Sequence, residues 1–286
     1  MSVTSTLPMN LNVAIQYARL VKIAEEVPPD TSVYKPGDNV NVTYDTINVN
    51  YTVVTTFYAN DLATDVNPGR AAQIVSFGFV AQDAAGNVVI SIRGTEGLLE
   101  WVQDAKFLSV KCPFLKGAGN TEDGFTAVYE SLRLTPDSGS KRLVEALPGL
   151  AYPRPVGSMT ICGHSLGGAL TTLLALDVAA NTVFAHPLVY TYASPRTGDS
   201  SFVDTYNQVV PSTLRFANRL DIVPKVPLTP PFEHVLGLSD LNPMLNVKLD
   251  ILCQHHLTTY MHLLSSLGGG TVLPLDANCT PTAIHI

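Results

Sequence analysis

One hexapeptide, Gly163-His164-Ser165-Leu166-Gly167-Gly168, constrains this chain more than any other feature. A short apolar run, Met159-Thr160-Ile161-Cys162, precedes the serine, and a long apolar segment, LGGALTTLLALDVAA, follows it. The first reads as a strand and the second as a helix. A serine held in so tight a strand-to-helix turn exposes its hydroxyl at the carboxyl end of a sheet. Gly163 and Gly167 suit the turn because a Cβ at either would meet the neighbouring strand or helix. The helix N-terminus aims its N–H groups and positive dipole end at the same spot. A developing oxyanion gains most from such donors. A helix N-cap serine between glycines is the plainer alternative, but the strand–turn–helix context favours a nucleophile.

The surrounding pattern sets the fold class. Residues 11–27 place Val13, Tyr17, Leu20, Val21 and Ala24 on one helical stripe, ended by Pro28-Pro29. Residues 46–58, 72–80 and 87–92 read as strands, the last two joined by a turn at Asp83–Asn87. Helices are expected at 124–134, 140–147, 165–180, 201–208 and 255–267. Strands are expected at 156–162, 187–193 and 213–217. Strands alternating with helices indicate an α/β fold with a mostly parallel central sheet flanked by helices. No linker-like break appears, so residues 1–286 read as one domain.

Composition narrows the function classes. Of 286 residues, 14% are charged and 46% hydrophobic, and the net charge is −7 with no Lys/Arg cluster. Nucleic-acid binding needs a basic footprint, so it is not expected. The longest strongly apolar stretch, Leu166–Leu176, is too short for a membrane span of about 20 residues. The N-terminus lacks a basic n-region and a continuous apolar h-region, so no signal peptide is visible. The four cysteines, Cys112, Cys162, Cys253 and Cys279, include no CxxC pair. The expectation is buried free thiols, with a Cys253–Cys279 loop left open. Asp61, Asp65 and Asn67 fit no calcium loop and read as solvated turn residues.

With a serine on such a turn, the acid and then the base follow in chain order. Asp221 sits four residues after the strand residue Ala217 and can orient a histidine; capping the turn before Pro224 is its plainer role. The downstream histidines are His234, His255, His256, His262 and His285. His285 is terminal, His234 lies in a strand-like FEHV, and His262 follows a helical apolar face. His255 and His256 occupy a loop-to-helix junction where a base would be presented. Residue types alone do not choose between these two.

Several separate segments resemble the class 3 lipases, which include fungal triacylglycerol lipases and plant acylhydrolases. IRGTEGLLEWVQD (92–104) resembles the family's oxyanion segment, DGFTAVY (123–129) its G-F-x-x-x-Y helix and CGHSLGGAL (162–170) its elbow. YTYASPRTGDSSF (190–202), NRLDIVPKVP (218–227), FEHVLG (232–237) and HHLTTYMHLL (255–264) continue the match in order. The resemblance covers roughly 12–267 and implies an α/β-hydrolase fold. It implies Ser165 as nucleophile and Asp221 as the residue orienting the base. The H-x-[LM]-x-x-Y spacing to Tyr260 implies His255 as the base; members with a shorter spacing would favour His256. The oxyanion donors would be the backbone N–H groups of Thr95 and Leu166, and Asp104 would be a supporting carboxylate, with an exposed helix Asp as the plainer reading.

The resemblance further implies hydrolysis of a carboxylic ester through an acyl-enzyme, with no metal or organic cofactor. The expected partner is an acyl ester or acylglycerol at a lipid–water interface. An esterase for soluble short-chain or feruloyl esters is the alternative, and a non-catalytic lipase-like binding module the remote one. Residues 96–116, with Leu98, Leu99, Trp101, Phe107 and Leu108, match the lid position. Residues 227–252, with Leu236, Leu238, Leu241, Met244, Leu245 and Leu249, read as a second apolar cap or pocket element. Lipases of this type often work outside the cell, so the compartment is left open.

Overall fold

The computed structural model describes residues 9–27, 34–60, 74–95, 107–137, 139–228, 230–242 and 246–281. Helix α1 (Leu11–Glu25) opens the described chain. The Asn10 side chain caps it by accepting N–H groups of Asn12 and Val13. Four strands follow: β1 (Asn39–Tyr44), β2 (Ile47–Asn60), β3 (Ile74–Asp83) and β4 (Asn87–Ile92). They pair antiparallel in sequence order. Two short strands, β5 (Ser109–Lys111) and β6 (Asn120–Glu122), lead into helix α2 (Asp123–Glu130) and the one-turn helix α3 (Leu143–Ala146).

Strand β7 (Ser158–His164) and helix α4 (Leu166–Asn181) flank Ser165. The chain continues through β8 (Leu188–Tyr192), β9 (Gly198–Asp199), α5 (Ser200–Val209), β10 (Thr213–Asn218), β11 (Phe232–Glu233) and β12 (Leu238–Leu241). It ends with α6 (Ile251–His255) and α7 (Leu257–Leu267). The main sheet has eight strands in the order β1-β2-β3-β4-β7-β8-β10-β12. From β4 onward every pairing is parallel, so the parallel pairings outnumber the antiparallel ones. A smaller sheet runs β11-β9-β6-β5.

Burial follows from this arrangement. Parallel strands covered on both faces need near-continuous apolar sequence, and β7, β8 and β10 are buried along nearly their whole length. Successive side chains then serve opposite cores. Ile161 packs with Phe125, Leu170, Leu173 and Phe202 from α2, α4 and α5. Its neighbour Cys162 packs on the other face with Ile15, Ala18, Tyr260 and Leu264 from α1 and α7. Helix α4 is buried from Leu166 to Val178, which explains why it is apolar all round.

Three sequence expectations change. The helix expected over 255–267 is α7, which starts two residues later behind His256, its N-cap with extended backbone (φ −58°, ψ 135°), and an unexpected short helix, α6, precedes it. Cys253 and Cys279 form a disulfide that pins α6 to the segment after α7, whereas Cys112 and Cys162 are free and buried as expected. The 227–252 segment does not form only a cap: its β12 is the edge strand of the main sheet. Of the 96–116 segment, residues 96–106 lie outside the described residues. Its remainder contains β5, with Phe114 and Leu115 packed on the core and Leu108 exposed. Asp61, Asp65, Asn67, Met244, Leu245 and His285 also lie outside the described residues.

Candidate active site

Ser165 occupies the single residue between β7 and α4, with φ 61° and ψ −128°. Such a backbone costs roughly 1–3 kcal/mol and persists only where the surroundings fix it. Here they do. The Ser165 N–H donates to the Tyr192 carbonyl (2.9 Å), and the Gly168 N–H donates to the Ser165 carbonyl (2.9 Å). A Cβ at Gly163 would lie 2.2 Å from the Gly167 carbonyl oxygen, and one at Gly167 2.4 Å from that of Arg93. The glycines therefore allow β4, β7 and α4 to converge beneath the serine.

Three side chains meet there. The His255 Nδ1–H donates to Asp221 Oδ2 (2.8 Å), which leaves Nε2 to accept the Ser165 hydroxyl (2.7 Å). This tautomer follows from the partners. Asp221 is fully buried, and buried polar groups need hydrogen-bond partners. It has them: the Tyr260 hydroxyl donates to Oδ2 (2.8 Å) and the Val223 N–H to Oδ1 (2.9 Å). Burial, and then the charge of Asp221, push the Tyr260 phenol well above its usual range, so it stays a neutral donor. Its oxygen accepts the Asn218 N–H (3.0 Å), which ties this polar chain to the end of β10.

The other histidines are placed elsewhere. His256 Nδ1 lies 2.8 Å from the Thr258 hydroxyl at the start of α7, and burial lowers its pKa. It lines the cavity in front of Ser165 without touching the serine. His234 donates to the Pro224 carbonyl. Burial first, and then the Arg215 charge, take its pKa down to about 3. His262 donates from Nδ1 to the Leu273 carbonyl (2.7 Å) and accepts from Asn246 (3.0 Å). Both are satisfied structural histidines.

A cavity of about 360 Å³ opens onto Ser165 and His255. Gly94, Thr95, Leu252 and Leu257 are among its lining residues. A Cβ at Gly94 would lie 3.1 Å from Ser165 Cβ, so Thr95 is set close beside the serine. Leu166 begins α4, where first-turn N–H groups lack a partner within the helix. Asp104 and Trp101 lie outside the described residues. Among the described residues no group of three His, Cys, Asp or Glu side chains is placed to hold a metal ion. Such a site can exchange a proton between serine and histidine beside a cavity open to a substrate.

Two features were not anticipated from the sequence. Tyr260 served there only as a spacing marker, and the H-x-L-x-x-Y pattern was its signal. The second is a contact from His164 to Glu25 (2.8 Å), between residues 139 positions apart that no local pattern connects.

The family model for Lipase (class 3) matches residues 89–230. A phospholipase A1-II 2 of Oryza sativa subsp. indica is 31% identical over 192 residues, covering 56% of this chain and 48% of its own. A secreted mono- and diacylglycerol lipase A of Penicillium cyclopium is 33% identical over 152 residues, covering 53% and 47%. The chain thus spans about half the length of the curated relatives it matches. Among solved structures, a fungal lipase aligns with TM-score 0.60 and 23% identity over 81% of this chain and 79% of its own. A Yarrowia lipolytica lipase aligns with TM-score 0.57 and 21% identity over 83% and 82%. At these identities the structures establish the fold, that of the α/β-hydrolases.

Proposed function

The chain belongs to the class 3 lipases, and from that premise we propose that it hydrolyses carboxylic esters of lipids, with Ser165 as nucleophile. The observation carrying this reading is the run of hydrogen bonds from Asp221 through His255 to Ser165 at 2.8 and 2.7 Å. His255 takes the Ser165 proton as the hydroxyl attacks the ester carbonyl. Asp221 holds the ring in the tautomer that can accept it and stabilises the imidazolium that forms. The N–H groups of Thr95 and Leu166 receive the oxyanion, a contribution of about 10²–10³ in rate per donor. His255 then protonates the departing alcohol, and water hydrolyses the acyl-enzyme by the same route.

The substrate we propose is an acylglycerol, with triacylglycerol as the leading member. The Penicillium relative is a mono- and diacylglycerol lipase and the rice relative a phospholipase A1, which supports an acylated glycerol backbone. Leu252, exposed at the surface and lining the cavity, supports an apolar entrance beside exposed Leu249 and Ile251. In this reading residues 1–286 act as one catalytic unit, with 96–116 and 227–252 as its lid and cap elements. The Cys253–Cys279 bridge suits an oxidising compartment, and the Penicillium relative is secreted, so we place the protein outside the cytosol.

Ser165→Ala should lower p-nitrophenyl ester turnover by about 10⁶-fold. Retained activity would remove Ser165 from the mechanism. Profiling from acetyl to long-chain esters and emulsified triolein tests the substrate. A preference for acetyl or feruloyl esters with no triolein hydrolysis would replace lipase by esterase.

A further inference from the structure

The residue preceding the nucleophile makes a second histidine–carboxylate pair against the first. His164 is buried, with its ring centroid 4.7 Å from that of His255 and the planes inclined by 31°. Its Nδ1 lies 2.8 Å from Glu25 Oε1, at the C-terminal end of α1. Its Nε2 lies 2.9 Å from the backbone carbonyl oxygen of His255. The carbonyl only accepts, and an ionised Glu25 carboxylate only accepts as well, so with Glu25 ionised both ring nitrogens carry protons. We infer that Glu25 is a positioning residue for the base: through a doubly protonated His164 it holds the backbone of His255 over Ser165. The inference rests on the assignment of His255 as the base.

The charges around the pair fit a standing cation. Burial works against ionising His164, yet the adjacent Glu25 carboxylate, with the His255 carbonyl and the Asp221 charge, raises its pKa on balance. Burial likewise opposes ionising Glu25, and the charge and hydrogen bond of His164, with Lys22 and His256, lower the carboxyl on balance. The other charged or titratable groups facing the pair are Lys22 from α1, Asp221, His255 at the end of α6, and His256 and Tyr260 around α7.

The pH consequence has a definite sign. With His164 raised, the double contact is complete below the ordinary histidine range and fails as pH rises through the raised value. With Glu25 lowered, the acid-side loss is confined below the ordinary carboxylate range. When His164 loses a proton on the alkaline side, the carboxylate retains the Nδ1–H. Nε2 is then a lone pair facing the His255 carbonyl, and the anchor is released.

The test compares Glu25→Ala, Glu25→Gln and, as control, Glu26→Gln, whose parent side chain is exposed and paired with Lys22. A base displaced by about 1 Å can cost 10²-fold in rate. Glu25→Ala is therefore expected to lower kcat about tenfold with KM within about twofold. The glutamine amide can donate to Nδ1 and leave Nε2–H on the carbonyl at every pH. Glu25→Gln should accordingly recover most of kcat and remove the alkaline decline expected of the parent. Glu26→Gln should match the parent throughout. Parent-like kcat and pH profile in Glu25→Ala, or equal loss in both Glu25 variants with an unmoved profile, would overturn the positioning role. Should Glu25→Ala not fold, ¹⁵N-histidine NMR of the parent still decides: one histidine must keep both ring protons at neutral pH, and its signature must vanish in Glu25→Gln. Parent-like activity in Ser165→Ala would break the catalytic reading itself, a result separable from both of these.

Discussion

His255–Asp221 and His164–Glu25 are the same pair of functional groups at the same 2.8 Å separation, packed ring against ring. They differ in what the other nitrogen meets. For His255 it is the Ser165 hydroxyl, which has a proton to give. For His164 it is a backbone carbonyl, which has none and only accepts. The first pair can cycle between neutral and charged forms; the second gains by remaining charged. A histidine beside a carboxylate is therefore not in itself a catalytic signal, and the third partner decides what the pair can do.

Several variants would break or sharpen that contrast. Asp221→Asn has the largest expected effect after loss of the serine. It should lower kcat about 10⁴-fold by stabilising the wrong His255 tautomer, against about tenfold for Glu25→Ala. Similar losses at both carboxylates would erase the distinction. Tyr260→Phe removes one donor to Asp221 and leaves the Asn218 N–H without its acceptor. A hydrogen bond to a charged group contributes about 1.5–3 kcal/mol, so steady-state kinetics should show a loss of about tenfold or somewhat more, with a lower melting temperature. The smallest effect belongs to His256→Ala. His256 lines the cavity without touching the serine, so esterase activity should stay within about threefold of the parent. A loss of several orders of magnitude there would transfer the base role from His255.

Much of the scaffold was legible in the sequence. The turn around Ser165 could be read because glycine spacing, strand and helix all agree locally. The long strands and helices were legible for the same reason, through sustained periodicity. The small sheet was not: β9 has two residues and no period to detect, and the strand-like FEHV around β11 gave no sign of its partner. Strand β1 was missed although it alternates, because its pairing with β2 gives it meaning only in the folded sheet. The short helix α6 before His256 was hidden because its five residues are too few to show a helical period, whereas Leu257, Tyr260 and Leu264 mark α7. Residue types left His255 and His256 equivalent, and only the family spacing preferred one. The structure separates them by which side chain reaches Ser165. Glu25 carried no sequence signal, because its partner is brought near only when α1 docks on the parallel half of the sheet.

The sequence separations within the site bear on how the protein is made. Asp221 and His255 are 34 residues apart, Ser165 and His255 are 90 apart, and Glu25 and His164 are 139 apart. During synthesis the serine turn emerges well before the histidine that would activate it. Domains fold largely as units, and a chain still growing exposes incomplete surfaces. A nascent chain of this protein that has reached α4 therefore lacks both Tyr192, whose carbonyl holds the serine turn, and His255. The Asp221–His255–Ser165 arrangement is complete only once α6 is in place, so on the proposed reading the last stretch of the fold to be made is also the one that completes the site.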